Sequence, residues 1–215
     1  MTDYKKGDSK NIIVGAAALF TANSVLTPST VPAVVEDVAY TTTLTNASGI
    51  TNVGYTANGL ELQFQPDFGE VKVDQILDVA KLYKQGMQVN LKTSFAEATL
   101  ENLLFAIAGQ GDDLVADSTD PKFDGQKVLN LSAGNIGECP VERSLIAVGP
   151  GTGDCAIGTG KERIYVAYRA LSIESVTVSA KREEATMFEV SFRLLPEDTS
   201  SSYGKIVDRT VSLIS

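Results

Sequence analysis

A mostly-β chain with one flanking helix is the fold class predicted by this sequence, and three observations carry it. Apolar and polar residues alternate over Leu60–Gln65, over Met87–Lys92 and over Thr186–Leu195. A period of two sends one set of side chains into a core and the other to a polar surface. One segment alone, just after Lys92, switches to a helical period, and the second half of the chain is filled by short apolar runs bounded by Gly and Pro, which is how strands punctuate a sequence.

Taken in order, the chain opens with a polar arm, Met1–Lys10, and then the apolar run Ile12–Phe20. Lysines ahead of an apolar run imitate a signal peptide. Asp3 and Asp8 offset those lysines, and a cleaved leader would be lost together with Met1. Nine residues also fall far short of the about 20 needed to span a bilayer. The expectation is a buried strand behind a short arm, with no membrane association. Pro28 and Pro32 disfavour both helix and central strand in the stretch that follows. Thr41–Asn58 is dominated by Thr, Asn, Gly and Ala. It reads either as a surface loop or exposed hairpin, or as a projecting arm that reaches a neighbouring subunit, since long structureless loops are uncommon without a role.

Strands at Leu60–Gln65 and Met87–Lys92 lead into the helix, expected over Phe95–Ala108. Ser94 and Glu97 fit a capping box. Leu100, Leu103, Leu104 and Ile107 form one apolar stripe that should pack on the sheet, and Gly109 stands where a glycine ends a helix. Asp112–Asp124 is acidic but lacks the order of ligands of a calcium loop, so a solvated loop is the default. Further strands are expected at Val128–Leu131, Ser144–Val148, Glu162–Tyr168, Thr186–Leu195 (ended by Pro196) and Ile206–Ile214.

Composition narrows the function. The 215 residues suit one domain, and the net charge is −9. An acidic protein gains no affinity for DNA through counterion release, although an acidic wall lets DNA pass without sticking. Histidine is absent, which removes Ser-His and Cys-His nucleophile systems and the commonest metal ligand. Cys139 and Cys155 are the only cysteines. They are too few for a secreted disulfide scaffold or a four-cysteine zinc site, and two reduced thiols are the default reading.

Two signals imitate chemistry. Gly149–Lys161 is glycine-rich, but the phosphate-loop pattern wants Gly where Cys155 stands and Ser or Thr where Glu162 stands. A connection between two strands is the better reading. Lys181 and Arg182 are followed at once by Glu183 and Glu184, so no basic nucleic-acid module forms there. No cofactor, metal site or catalytic constellation is expected, and the chain does not read as an enzyme.

The run Gly86–Gly109, GMQVNLKTSFAEATLENLLFAIAG, resembles the strand-to-helix region of the tail tube (major tail) proteins of long-tailed bacteriophages. Lys10–Ala22, KNIIVGAAALFTA, resembles their first strand. The resemblance consists of patterned positions over a minor part of the chain. It implies a β-sandwich or barrel-like tail-tube domain with one flanking helix, assembling into hexameric rings stacked as a DNA conduit. It further implies a virion protein put together in the host cytoplasm. Its partners would be other copies of itself, the tail terminator, tape measure and tail-tip proteins, and passing genomic DNA that is not specifically bound.

Tubes of secretion systems and contractile particles would share this fold, and a secreted β-sandwich binding or adhesion module is the alternative of another class. If the chain lines a conduit, sheet edges should join between subunits, because exposed edges are aggregation sites. The polar strand faces would then supply the lining: Glu61, Gln63, Gln65, Gln88, Asn90, Glu189 and Ser191. Lys92 and Arg193 lie in phase with them and dilute the negative charge. The same faces could equally lie on the outside.

Overall fold

A computed structural model of the protein describes residues 13, 15–22, 25–28, 50–109, 113–117, 125–131, 133, 136–137, 139–152, 159–179, 182 and 185–212. Among the described residues, ten strands and one helix follow the order β1 (Ala18–Ala22), β2 (Ile50–Asn52), β3 (Thr56–Lys72), β4 (Val79–Phe95), α1 (Leu100–Ala106), β5 (Leu114–Asp117), β6 (Gln126–Leu129), β7 (Arg143–Pro150), β8 (Thr159–Ser172), β9 (Phe188–Leu195) and β10 (Gly204–Ser212). Eight strands form one antiparallel sheet, in the order β2-β1-β7-β8-β9-β4-β3 with β10 also on β8. β5 and β6 make a separate two-stranded ribbon. The mostly-β class with one helix is what the structure shows.

β8 is the branch point of the sheet. One of its edges pairs with β7. The other edge is shared, β10 taking Thr159–Ala167 and β9 taking Arg169–Ser172. The sheet therefore forks, and β4 with β3 continues from the β9 branch. A register shift in the β7–β8 ladder inserts an extra residue between Ala167 and Ala170. Both alanines then face the same core although they stand three apart. A bulge of this kind raises the local twist and re-aims side chains, which bends the sheet where it divides.

Burial follows the sequence pattern. β7 reads Ser-Leu-Ile-Ala-Val-Gly without alternation and is buried along that whole length. A strand covered on both faces needs such a run. One face of the sheet gathers Leu19, Leu91, Phe95, Leu145, Ala147, Phe188 and Phe192 into the main core together with Phe105 and Ala106 of α1. The rings of Phe105 and Phe192 stack at 4.9 Å and those of Phe95 and Phe105 at 5.9 Å. The opposite face holds a second cluster of Phe20, Ile146, Val148, Ile164, Val166 and Tyr168. Each such side chain contributes about 1.5–3 kcal/mol by leaving water. Leu19 and Phe20, the end of the apolar Ile12–Phe20 run, are thus core strand residues.

The helix is shorter than expected and turned. β4 runs through Phe95, which pairs with Phe188, so Ser94 and Phe95 belong to the sheet. The cap is Thr99, whose hydroxyl accepts the Asn102 N–H at 3.2 Å. Glu97 accepts the Tyr55 N–H at 2.9 Å, where a capping-box glutamate would reach back to Ser94. Asn102, Phe105 and Ala106 form the buried face, with Leu104 beside it. Of the expected stripe, Leu104 is buried and Leu103 touches the main core. Leu100 is half-buried, and Ile107 lies past the last helical residue and is 41% exposed. The stripe expectation fails at Ile107 because the helix presents Phe105 to the stacked rings, which rotates the leucines sideways.

Two loop expectations also change. Within the acidic Asp112–Asp124 stretch, Leu114–Asp117 is strand β5, paired with β6. Of Thr41–Asn58, residues 50–58 are no projection: Ile50–Asn52 is strand β2 on β1, Val53 is buried and Thr56 begins β3. Residues 41–49 and the Met1–Lys10 arm lie outside the described residues. Gly149–Lys161 does connect two paired strands, β7 and β8. Its Gly151 N–H is held by the Lys161 carbonyl at 2.8 Å.

Candidate functional site

The cross-strand register brings the polar residues of three strands onto one face. Gln65 stands opposite Gln88, and Gln63 opposite Asn90, which in turn faces Arg193. The next row is Glu61, Lys92 and Ser191, and beyond it Ser94 faces Glu189. All seven expected lining residues thus share one face of β3, β4 and β9. They are not equally open. Glu61, Gln63, Gln65 and Glu189 are exposed and Gln88 is half-buried, whereas Asn90 is 8% and Ser191 only 2% exposed.

The chain following β8 covers part of this face. Ile173 donates its N–H to the Ser191 carbonyl at 3.2 Å, and the Lys92 ammonium lies 3.7 Å from Glu174. Ser191 is therefore withdrawn from any open surface. The Lys92 charge is matched locally, leaving Glu61, Glu189 and Glu174 against Lys92 and Arg193. The face is polar and slightly acidic.

β3 and β4 extend well beyond the body of the sheet. β9 pairs with β4 only from Val89 to Phe95, so Val79–Gln88 has β3 as its sole partner among the described residues. The free part of the hairpin, Gln65–Lys72 with its return strand, projects by about 26 Å at the usual strand rise. Pro66 is tolerated because β3 is an edge strand. Gly69 lies opposite Tyr83, whose ring occupies the space where a Cβ would sit.

Phe68, Val71, Leu82 and Tyr83 are exposed along the projection. At its tip, Ile76 is 52% exposed and Leu77 fully so. The sequence pattern missed this arm, because Pro66, Asp67 and Gly69 interrupt the alternation. The available signal was the mirrored pair of alternating strands around Asp74-Gln75.

The fork in the sheet leaves a groove of about 630 Å³ between the start of β10 and the base of the hairpin. Leu62, Phe64, Met87, Tyr165 and Ile206 give it apolar walls. The Tyr203 hydroxyl donates to the Met87 carbonyl across it at 2.5 Å. Gly204 opens β10 with its Cα over the Val166 carbonyl, where a Cβ would stand 1.9 Å from that oxygen. Two cross-strand ion pairs hold β10 on β8: Arg163 with Asp208 in a two-pronged contact at 2.6 and 2.7 Å, and Arg209 with buried Glu162 at 2.9 Å. Arg163 keeps the Asp208 carboxyl below the ordinary range.

Among the described residues, no group of three or more His, Cys, Asp or Glu could hold a metal, and no helix is long and apolar enough to cross a membrane. Cys139 is an exposed free thiol; Cys155 lies outside the described residues. Among the described residues the arrangement offers unpaired strand edges, an arm with exposed apolar side chains and a mostly apolar groove, which are means of association. A scan against models of known protein families finds no match to this chain, and a search of curated proteins finds no significant relative.

Proposed function

We propose that this protein is a structural subunit that assembles with copies of itself into a hollow tube, the tail tube of a long-tailed bacteriophage, through which DNA passes without being bound. The observation that carries the reading is the β3–β4 hairpin. An isolated two-stranded ribbon is marginal in water, and edge strands are normally shortened, charged or covered. Here a long ribbon projects with Phe68, Leu82, Tyr83, Ile76 and Leu77 open to solvent. Apolar side chains left uncovered along a projecting ribbon suit a contact with another protein. The resemblance of Gly86–Gly109 and Lys10–Ala22 to tail tube proteins names the kind of assembly. The −9 net charge and the polar face around Glu61 and Glu189 suit a wall that repels a polyanion.

Negative-stain electron microscopy of the concentrated protein tests the reading. Rings or tubes with an open axial channel are the expected result. A field of featureless monomers at every concentration and salt condition would refute it.

A further inference from the structure

We propose that the hairpin tip of one copy, Val73–Asp78, seats in the β10–β4 groove of a second copy, so that one arm and one groove per subunit build the assembly. This rests on the assembly reading and names its contact.

Three features of the two surfaces carry it. The tip offers two adjacent large aliphatic side chains, Ile76 and Leu77, with no cover of their own. The groove, at about 630 Å³, has mostly apolar walls and several times the roughly 150 Å³ that admits a benzene ring. The charges also match. Asp74 and Asp78 flank the tip, which contains no cation, while Lys84 and Lys205 border the groove, whose lining contains no carboxylate.

The strand edges beside the groove are unpaired as well. β10 pairs only with β8, and Val79–Gln88 only with β3, among the described residues. An incoming segment can therefore gain backbone hydrogen bonds in addition to apolar contact.

A subunit cannot fill its own groove. Leu62, Phe64 and Met87 of the groove wall form the hairpin's base, at the opposite end of the ribbon from Val73–Asp78. The contact is therefore between different surfaces of two copies. Such head-to-tail contacts close into rings when the rotation closes, and otherwise run on as filaments. A reciprocal exchange of tips between two copies would close as a two-fold dimer, which does not continue into a tube.

The test uses the full-length protein and reads the concentration at which assemblies form. Leu77→Ser alters a fully exposed residue and should raise that concentration at least tenfold while leaving the circular dichroism spectrum unchanged. Asp74→Lys with Asp78→Lys should do the same, and adding Lys84→Asp and Lys205→Asp should restore assembly. A photo-crosslinker at position 77 should capture peptides around Met87 or Ile206 of another copy. If the wild type assembles but Leu77→Ser assembles equally well, or the crosslinks map elsewhere, the tip-to-groove contact is wrong and the tube reading stands. If the wild type never assembles, both are wrong.

Discussion

Glu197 shows how a single carboxylate fixes the turn that leads into β10. It accepts the Ser200 N–H at 2.7 Å, and its own N–H donates to the Ser202 carbonyl at 2.9 Å. Hydrogen bonds from Ser200, its N–H first, and from Thr199 lower the Glu197 pKa from 4.5 to about 2. A carboxylate lowered in the folded state contributes stability that is fully present above its unfolded value. That stability is lost as the pH falls from 4.5 through about 2. Urea midpoints measured across this window should fall more steeply for the wild type than for Glu197→Gln. Equal slopes would mean that the turn does not hold the ionised form.

A second residue-scale case is Ala108, which takes φ +53° after the helix. Its N–H bonds the Phe105 carbonyl and the Gly109 N–H bonds the Leu104 carbonyl, so the left-handed position falls on alanine and not on the glycine one place later. Ala108→Gly should stabilise the protein by roughly 0.5–1 kcal/mol, read as a higher urea midpoint, because a left-handed alanine is strained. The glycine signal was legible in the sequence to within one residue. The cap was not, because Ser94-x-x-Glu97 and Thr99-x-x-Asn102 both offer an oxygen, and only the strand pairing of Ser94 decides between them.

At the scale of elements, the stacked rings make the helix part of the core. Phe105→Ala should cost roughly 3–5 kcal/mol and Leu104→Ala roughly 2–5, whereas Ile107→Ala should cost under about 1 kcal/mol. Chemical denaturation of the three variants separates this orientation from one with Ile107 inside. The core strands were legible because each half-buried strand alternates and β7 is continuously apolar. β2 and β5 were not, since Ile50–Asn52 and Leu114–Asp117 are short and set among turn-forming residues. The distal hairpin escaped for a different reason. It has apolar residues on both faces and none of them is buried at home, so it lacks the one-sided pattern that burial imposes. β10 depends on Gly204. Gly204→Val would drive side-chain atoms into the Val166 carbonyl, and should detach the start of the strand, which hydrogen exchange at Lys205–Val207 would register as lost protection.

At the scale of the whole molecule, the candidate lining residues were legible as a face but not as an open one. Alternation alone put Glu61, Asn90 and Ser191 in phase. Only the return of the chain through Ile173 and Glu174 buries Ser191 and matches Lys92, and a crossing of that kind leaves no periodic trace. A projecting arm was expected at Thr41–Asn58, of which residues 50–58 pack on the sheet and 41–49 lie outside the described residues; the projection that the described residues show is Gln65–Gln88. The molecule thus divides into a sheet body with its own two cores and a ribbon that has no core.

We propose that this ribbon joins copies of the protein. Sedimentation velocity on the wild type and on a variant in which Asp67–Gly86 is replaced by an Asn-Gly turn tests it most directly. Pro66 and Met87 are cross-strand partners, and Asn-Gly suits a two-residue hairpin turn, so the shortened body should keep its strand spectrum and melt cooperatively. The wild type should form large, concentration-dependent species and the shortened protein should remain a monomer. Assemblies of the shortened protein at wild-type concentrations, or a wild type that remains monomeric throughout, would contradict the proposal.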